Sequence, residues 1–446
     1  MDYVVMAGQL FLSLSILIVL HEMGHFFPAK WFNTRVEKFY LFFDPWFELF
    51  KIKRGDTEYG IGWLPLGGYV KISGMIDESM DREQMKLPPQ PWEFRSKPAW
   101  QRLIIMLGGV TVNFILGFIL FGLVLWTWGE QYLPNENATY GIHVVDSLGM
   151  DMGLMSGDKI VAIGGNPVEK FGGKELRREI IINDEKTVTF DRREKKKTLN
   201  IDEKYVDILS RHENKNVQLF VARVPFVLDS VPNPSAAAKA GLVKGDRLIA
   251  ANGISTPFRD NFIDVARRNA GKEIALSVLR NGKDTINTSL ALSSKGLIGA
   301  YVKLPNFFFD TKTQEYSFAE AMPAGYRKGY DFLADQIKAF GQIFKGKIKA
   351  SESLGGFGSI AGMFDTSWNW QRFWRMTAIL SLILGFMNLL PIPALDGGHV
   401  MFLLYEVISG RKPSDKFMEI ATIAGFALVM GLVLFANYQD IRRFFF

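Results

Sequence analysis

The chain of 446 residues contains no cysteine. Disulfide bonds, cysteine-ligated zinc fingers, thiol catalysis and iron–sulfur clusters are therefore excluded together. Histidine is scarce as well, because the whole chain has five: His21, His25, His143, His212 and His399. Any metal site must therefore be built from these histidines and from carboxylate side chains.

A strong excess of charge of one sign is also missing. The chain has 52 basic and 46 acidic residues, a net charge of +6, and no continuous basic stripe. Nucleic acid is therefore not an expected partner. Glycine and proline follow no period, which excludes a collagen-like chain, and a hydrophobic fraction of 48% excludes a disordered one.

The hydrophobic residues are concentrated in four uncharged runs, which cover residues 4–20, 103–128, 376–395 and 420–438. Each run is close to the length of about 20 residues that a helix needs to cross the hydrocarbon core of a bilayer. One such run could be a buried core helix, but four of them predict a polytopic α-helical membrane protein with four transmembrane helices. No basic residue precedes the first run and no small-residue cleavage site follows it, so we expect it to be retained.

Basic residues near the ends of the runs predict the orientation in the membrane. They cluster after the first run and before the second: Lys30, Arg35, Lys38, Arg95, Lys97 and Arg102. The segment between these two runs is therefore predicted to be cytoplasmic, and residues 130–370 extracytoplasmic. Arg442 and Arg443 fall on the outer side in this scheme and argue against it.

The extracytoplasmic segment repeats itself at an offset of 88 residues. The stretch from Gly153 to Ile160 aligns with the stretch from Gly241 to Leu248, and in both a Gly-Leu-x-x-Gly-Asp pattern precedes an apolar strand. This pattern resembles the PDZ domain and predicts two PDZ-like α+β domains, at 129–218 and 219–305. PDZ domains bind extended peptides by strand addition. Neither copy shows a clear carboxylate-binding loop, so peptide binding and a steric role both remain open.

Residues 318–344 carry apolar side chains at spacings of three and four, which predicts an amphipathic helix. Pro323 suggests that this helix begins late. The helix belongs to a predicted linker of residues 306–374. It could lie on the lipid surface or pack on the pair of repeated domains.

His21-Glu22-Met23-Gly24-His25 has the pattern H-E-x-x-H. On a helix, the two histidines lie on one face and can bind a single Zn²⁺, and Glu22 lies beside them, where its carboxylate can take a proton from water. The motif continues an apolar membrane helix. Ionisable side chains in that setting are costly and are functional by default.

Two histidines leave a catalytic zinc one protein ligand short, and without cysteine the third ligand is His399 or a carboxylate. Near the end of the third run, Pro391 and Pro393 break the helix just before Asp396. In the predicted topology Asp396 and His21 lie at the same, cytoplasmic, end of their helices. We therefore expect Asp396, rather than His399, to complete a site for one zinc ion per chain.

Three motifs together resemble the site-2 protease family of intramembrane zinc metalloproteases. They are H-E-x-G-H-F from residue 21, Pro65-Leu66-Gly67-Gly68-Tyr69-Val70-Lys71, and Asn-Leu-Leu-Pro-Ile-Pro-Ala-Leu-Asp-Gly-Gly from residue 388. Four helices with an external tandem PDZ insert resemble the bacterial subgroup of regulator-of-sigma-E proteases. The resemblance covers essentially the whole chain.

The resemblance implies a role for particular residues at the metal. It implies that His21, His25 and Asp396 are the zinc ligands and that Glu22 is the general base. It also implies that Asn388 contacts the substrate backbone.

The resemblance further implies a substrate-binding edge. Residues 60–74, with Gly67, Gly68 and Tyr69, match a re-entrant β-hairpin that offers its edge to an unwound substrate. Two stretches depart from the subgroup, Phe42-Phe43-Asp44 and Gly356-Phe357-Gly358-Ser359. They leave the local loop geometry and the substrate preference open.

The sequence therefore predicts an intramembrane zinc endopeptidase of a bacterial inner membrane. Its expected partners are the lipid bilayer and single-pass membrane proteins, such as anti-sigma-factor-like regulators and remnant signal peptides. The predicted division is 1–128 (two transmembrane helices with the hairpin), 129–218 and 219–305 (PDZ-like), 306–374 (linker) and 375–446 (two transmembrane helices).

Two other classes of protein fit this sequence less well. A catalytically silent PDZ scaffold for membrane partners has no use for a complete set of metal-binding and acid–base residues. A metal transporter is expected to carry ionisable residues in several mid-membrane positions, and the second and fourth apolar runs have none.

Overall fold

The computed structural model describes residues 2–65, 67–75, 87–214, 217–349 and 355–445. Leu66 of the predicted Pro-Leu-Gly-Gly motif and residues 350–354 of the predicted linker lie outside the described residues. The chain divides into two compact units. The first comprises Met1–Gly129, Glu315–Ile337 and Leu354–Phe446, and the second comprises Glu130–Gln314 and Lys338–Ser353.

The described helices are, in chain order, α1 (Asp2–Trp31), α2 (Ala99–Trp128), α3 (Ser147–Asp151), α4 (Gly173–Asn183), α5 (Lys204–Ser210), α6 (Ala236–Lys239), α7 (Arg259–Arg268), α8 (Phe318–Phe344), α9 (Phe357–Ala361), α10 (Trp370–Leu389), α11 (Asp396–Ser409) and α12 (Asp415–Phe445). Short 3₁₀ helices cover Phe94–Ser96, Asn135–Asn137, His212–Asn214 and Pro305–Phe307.

The described strands are β1 (Val36–Leu41), β2 (Phe43–Arg54), β3 (Thr57–Leu64), β4 (Tyr69–Ile72), β5 (Glu130–Tyr132), β6 (Ile142–Val144), β7 (Lys159–Ile163), β8 (Asn166–Pro167), β9 (Thr187–Arg192), β10 (Lys195–Asn200), β11 (Phe220–Ala222), β12 (Leu228–Ser230), β13 (Arg247–Ala251), β14 (Ile254–Ser255), β15 (Glu273–Arg280), β16 (Asp284–Ala291), β17 (Tyr301–Val302) and β18 (Lys312–Gln314).

Within the described residues, three helices are long and apolar enough to cross a membrane: Tyr3–Trp31, Ala99–Trp128 and Lys416–Arg443. They contain the first, second and fourth apolar runs. The third run begins within α10 and extends past its end at Leu389. The first turns of α10, ahead of the run, carry Arg372 and Arg375 and are less apolar than the rest of the helix. A transmembrane position for α10, and with it the four-span topology, stays a prediction.

The third run ends as its prolines predict. Helix α10 stops at Leu389, and residues 390–395, which include Pro391 and Pro393, are not helical. A new helix, α11, begins at Asp396. The chain folds back tightly here, because an added Cβ on Gly397 would lie 2.3 Å from the carbonyl oxygen of Leu390.

Helices α1 and α2 cross with their backbones in contact. An added Cβ on Gly24 would lie 2.5 Å from the carbonyl oxygen of Gly108, and one on Gly108 would lie 1.9 Å from that of Gly24. Small residues allow this close approach between membrane helices. The crossing brings the H-E-x-x-H segment of α1 directly against α2.

The first unit also contains a four-stranded sheet with the order β2-β3-β1-β4. The prediction of a hairpin over residues 60–74 was wrong. Strands β3 and β4 do not pair with each other, because β1 lies between them, parallel to β3 and antiparallel to β4. The hairpin is instead β2–β3, closed by Gly55-Asp56 between Arg54 and Thr57, a two-residue turn of the kind that glycine at positive φ favours.

The second unit contains two four-stranded sheets with the same order. They are β8-β7-β9-β10 and β14-β13-β15-β16. In each, a buried aspartate pairs with an arginine at the same offset of 88 residues, Asp158 with Arg192 and Asp246 with Arg280. The assignment of these sheets to PDZ-like domains, and the boundaries 129–218 and 219–305, stay predictions.

Helix α8 covers residues 318–344, the range that the apolar spacing predicts. The expected late start was wrong, because Ser317 and Glu320 form a reciprocal capping box and the helix begins ahead of Pro323. Two of its glycines, Gly325 and Gly329, allow close packing. An added Cβ on Gly325 would lie 2.2 Å from the backbone nitrogen of Gly122, so α8 packs directly on α2.

Candidate metal centre

The two histidines of the H-E-x-x-H motif lie one turn apart on α1. Their ring centroids are 4.8 Å apart, and their Nε2 atoms are 3.3 Å apart. Both side chains are largely shielded, with 14% of His21 and 9% of His25 exposed. The helical spacing predicted from the sequence therefore brings both imidazoles to one point.

Asp396 meets the two histidines from the start of α11. Its Oδ2 lies 3.4 Å from His21 Nε2 and 3.3 Å from His25 Nε2. The same Oδ2 atom is buried and has no hydrogen-bond partner among the described residues. Within the described chain, His21, His25 and Asp396 form the group that could hold a metal ion, and His399 is not a member of it.

The separations between the three atoms fit a zinc ion. Zinc bound to nitrogen or oxygen at about 2.0–2.1 Å in tetrahedral geometry holds neighbouring ligand atoms about 3.3–3.4 Å apart. The three measured separations are 3.3, 3.4 and 3.3 Å. A buried carboxylate oxygen without a partner, facing two imidazole nitrogens, is accounted for by a cation at this point.

The far side of each imidazole is also occupied. His25 Nδ1 lies 2.8 Å from the carbonyl oxygen of Ile105, so it must carry the proton and leave Nε2 for a metal. His21 Nδ1 lies 3.1 Å from the amide nitrogen of Asn113, whose Oδ1 is buried without a partner. If His21 Nε2 binds the metal, its Nδ1 carries the proton, and turning the amide by 180° would place Oδ1 where it can accept that proton.

Asn113 was not found by sequence reasoning, although a signal was present. It is a lone amide in the apolar run 103–128 and is 1% exposed in the structure. Its backbone carbonyl also accepts a hydrogen bond from Ser381 Oγ at 2.7 Å. A buried amide side chain within an apolar helix that is long enough to cross a membrane indicates a functional position.

Gly109 of α2 packs closely against the two imidazole rings. An added Cβ there would lie 2.3 Å from His25 Nε2 and 2.6 Å from His21 Cε1. Only glycine fits at this position while the rings keep their places. Gly109 was likewise missed by sequence reasoning, because a glycine in an apolar helix carries no chemical signal of its own.

Glu22 is buried beside the histidines, with 9% of the residue exposed. An added Cβ on Gly68 would lie 2.6 Å from Ile18 Cγ2 and 3.6 Å from Glu22 Cγ. The predicted general base and the start of the edge strand β4 are therefore neighbours.

The remaining predicted site residues lie around this point. Asn388, in the last turn of α10, has its amide nitrogen 3.4 Å from His21 Nε2. Gly67 faces the ring of Phe43, and the Tyr69 hydroxyl donates a hydrogen bond to Asp44. The structure thus brings Asn388 to the metal-binding atoms, begins β4 at Tyr69, and leaves Gly67 in the segment just before that strand.

Fold and site together define a zinc-dependent metallopeptidase built on membrane helices. The family model described as Peptidase family M50 matches residues 9–432. The chain belongs to this family, which confirms the resemblance drawn from the three motifs. It is therefore a zinc metalloendopeptidase, and the scaffold and transporter alternatives are not favoured.

Full-length relatives agree with this assignment. The chain is 26% identical over 464 residues to the Haemophilus influenzae protein named regulator of sigma E protease, covering 99% of this chain and 100% of that one. It is 27% identical over 449 residues to the Escherichia coli regulator of sigma-E protease RseP, covering 96% and 97%.

Proposed function

We propose that the chain cuts single-pass membrane proteins inside the bilayer, with His21, His25 and Asp396 as ligands of one zinc ion and Glu22 as the general base. The observation that carries this proposal is the triangle of Nε2, Nε2 and Oδ2 atoms with sides of 3.3–3.4 Å. Two of its corners come from a helix long and apolar enough to cross a membrane.

Zinc in such a site polarises a peptide carbonyl and acidifies a water molecule. Glu22 would accept the proton of the attacking water and deliver it to the leaving amine nitrogen. Its burial next to the histidines keeps bulk water from competing for that proton. Asn388, whose side-chain amide nitrogen lies 3.4 Å from His21 Nε2, would donate a hydrogen bond to the substrate backbone.

A transmembrane helix hides its peptide bonds in its own hydrogen bonds, so a substrate must unwind before it is cut. Among the described strands, β4 is at the edge of its sheet and pairs with β1 alone. An unwound substrate can therefore add to the outer side of β4 and replace the hydrogen bonds that it loses. Gly67 and Gly68 lead into this edge, and an added Cβ on Gly68 would lie 3.6 Å from Glu22 Cγ.

The proposed setting is a bacterial inner membrane, with α10 as a fourth span beside the three apolar helices. The metal site would lie near the cytoplasmic face of this membrane, and the two repeated sheets would lie on the extracytoplasmic side. Relatives named regulators of sigma-E protease support single-pass regulators of the anti-sigma-factor kind as substrates. Remnant signal peptides have the same single apolar helix and are the second expected class.

The repeated sheets are proposed to act as PDZ-like domains that control access. As a steric filter they would exclude substrates with bulky external domains, and as peptide binders they would select substrates by sequence. Deleting residues 130–305 tests the filter. Cleavage extended to untrimmed single-pass proteins supports it, whereas unchanged preference for trimmed substrates favours peptide binding or a purely structural role.

The proposed protease activity is tested by co-expression with tagged single-pass reporters. The expected result is a fragment whose new terminus, read by mass spectrometry, lies within the apolar segment of the reporter. The matched control is Glu22→Gln, which keeps the shape of the side chain but not its basicity. Equal cleavage by both proteins, or cleavage outside the apolar segment, would reject the proposal.

A further inference from the structure

The beginning of β2 contains a large bulge that redirects one acidic side chain. Phe43 pairs with Leu64, but the next pair in register is Glu48 with Gly62, so residues 44–47 bulge out of the ladder. The backbone adopts positive φ at Phe42 (68°) and near the end of the bulge at Trp46 (73°). Bulges of this kind are found where a side chain must be re-aimed, and here Asp44 is turned towards β4.

Asp44 makes polar contacts with side chains of β1 and β4, the two strands on the other side of β3 in the sheet. The Tyr69 hydroxyl, on β4, donates to Asp44 Oδ1 at 2.9 Å. Lys38 Nζ, on β1, lies 3.4 Å from Asp44 Oδ2 and 3.4 Å from the Tyr69 hydroxyl oxygen. The Asp44 side chain is 17% exposed, so these charge-assisted hydrogen bonds are partly shielded from water and are stronger for it.

The ring of Tyr69 is fixed as well as its hydroxyl. It stacks between the rings of Tyr40 and Phe43, with centroid distances of 5.4 and 6.1 Å and interplanar angles of 17° and 9°. Tyr40 is fully buried and donates its own hydroxyl to Glu58 Oε1 at 2.7 Å. Because Tyr69 is the first residue of β4, these contacts fix the point at which the edge strand begins.

We propose that Asp44, acting through Tyr69 and Lys38, holds β4 in the register at which an added substrate strand meets Glu22. Asp44 is a positioning residue, since it acts through Tyr69. A slip of one residue along β4 is about 3.3 Å and turns every side chain to the other face. Gly68 directly precedes Tyr69, and an added Cβ on it would lie 3.6 Å from Glu22 Cγ. Losing the anchor at Tyr69 would therefore displace the backbone beside the base.

This inference rests on the proposed function, because it assumes that the substrate pairs with β4. The test uses the purified full chain in detergent and a synthetic single-span peptide that carries a fluorophore and a quencher on either side of a core with central glycines. Asp44→Ala is expected to raise KM about tenfold, with kcat within about twofold and with zinc content unchanged, because it removes a charge-assisted contact outside the reacting centre.

Two further variants separate positioning from simple stability. Tyr69→Phe should raise KM as much as Asp44→Ala does, and the double variant should be no worse than either single one. Asp44→Asn keeps an acceptor for the Tyr69 hydroxyl and should bring KM back to within about threefold of the starting protein. Glu48→Ala is the matched control, because it removes an acid of β2 whose partner, Lys51, lies on the same strand, and its KM should not change.

Three results would overturn the inference. The first is an Asp44→Ala KM equal to that of Glu48→Ala. The second is a parallel loss of kcat, zinc and melting temperature in Asp44→Ala, which would make its role structural. The third is additivity in the double variant. A starting protein that holds zinc but leaves the peptide uncut would overturn the proposed function, and this inference with it.

Discussion

Replacing Gly109 by alanine should disable the metal centre without touching any side chain that binds metal. The added Cβ would lie 2.3 Å from His25 Nε2, more than 1 Å inside the ordinary contact distance of 3.4 Å, and 2.6 Å from His21 Cε1. His25 cannot retreat freely, because its Nδ1 is held by the Ile105 carbonyl. The two nitrogens must therefore leave the 3.3 Å spacing that suits zinc.

We expect Gly109→Ala to weaken zinc binding by about 100-fold, the upper end of what misdirected ligands usually cost. The assay is competition with a zinc chelator, followed by metal analysis of the purified chain. Gly117→Ala is the matched control on the same helix, since its Cβ would meet Leu382 Cδ2 at 2.5 Å, Leu382 Cγ at 2.7 Å and the carbonyl oxygen of Ala378 at 3.2 Å. It therefore introduces a comparable steric clash that meets none of the metal-binding atoms. Zinc affinity in Gly109→Ala within twofold of that in Gly117→Ala would refute this reasoning.

Three further predictions follow from the site and from the second unit. Asp396→Ala should lose zinc and His399→Ala should retain it, as measured by metal analysis; the reverse pattern would reassign the third ligand. Asn113→Leu should weaken zinc binding about 10- to 100-fold, whereas Asn113→Asp should not, because a carboxylate can still accept a hydrogen bond from His21 Nδ1. Equal zinc affinities of the two variants would show that Asn113 is not part of the site. Burial acts to raise the pKa of Asp246, but hydrogen bonds from Arg280 and from the Val243 N–H outweigh it and leave that pKa below its usual value. This stabilisation is present above the unfolded pKa of about 4 and is lost as the pH falls. Arg280→Met should therefore lower the melting temperature most at pH 7 and much less at pH 3. A difference in melting temperature between the two proteins that does not change with pH would contradict this prediction.

Sequence reasoning succeeded where local chemistry decides the outcome. H-E-x-x-H on a helix leaves one arrangement for His21 and His25, since a spacing of four puts both on one face. Pro391 and Pro393 cannot continue a helix, so the break ahead of Asp396 was predictable. The apolar spacing over residues 318–344 predicted the range of α8 in the same way.

The parts that were missed depend on distant pairings. Strand β4 pairs with β1 instead of β3, and no local pattern in residues 60–74 encodes which partner is taken. The Gly55-Asp56 turn was the available signal for the true hairpin. Gly109 and Asn113 acquire their roles because α1 crosses α2 at Gly24 and Gly108, a contact that a single sequence does not specify.

The central claim is that Glu22 performs the chemistry while His21, His25 and Asp396 hold the metal. Metal analysis and peptide cleavage measured on one preparation of purified Glu22→Gln test it most directly. The account predicts close to one zinc per chain, as in the starting protein, and no detectable cleavage, because the amide fills the same space without accepting a proton. Substantial cleavage by Glu22→Gln, or loss of zinc together with activity, would contradict it.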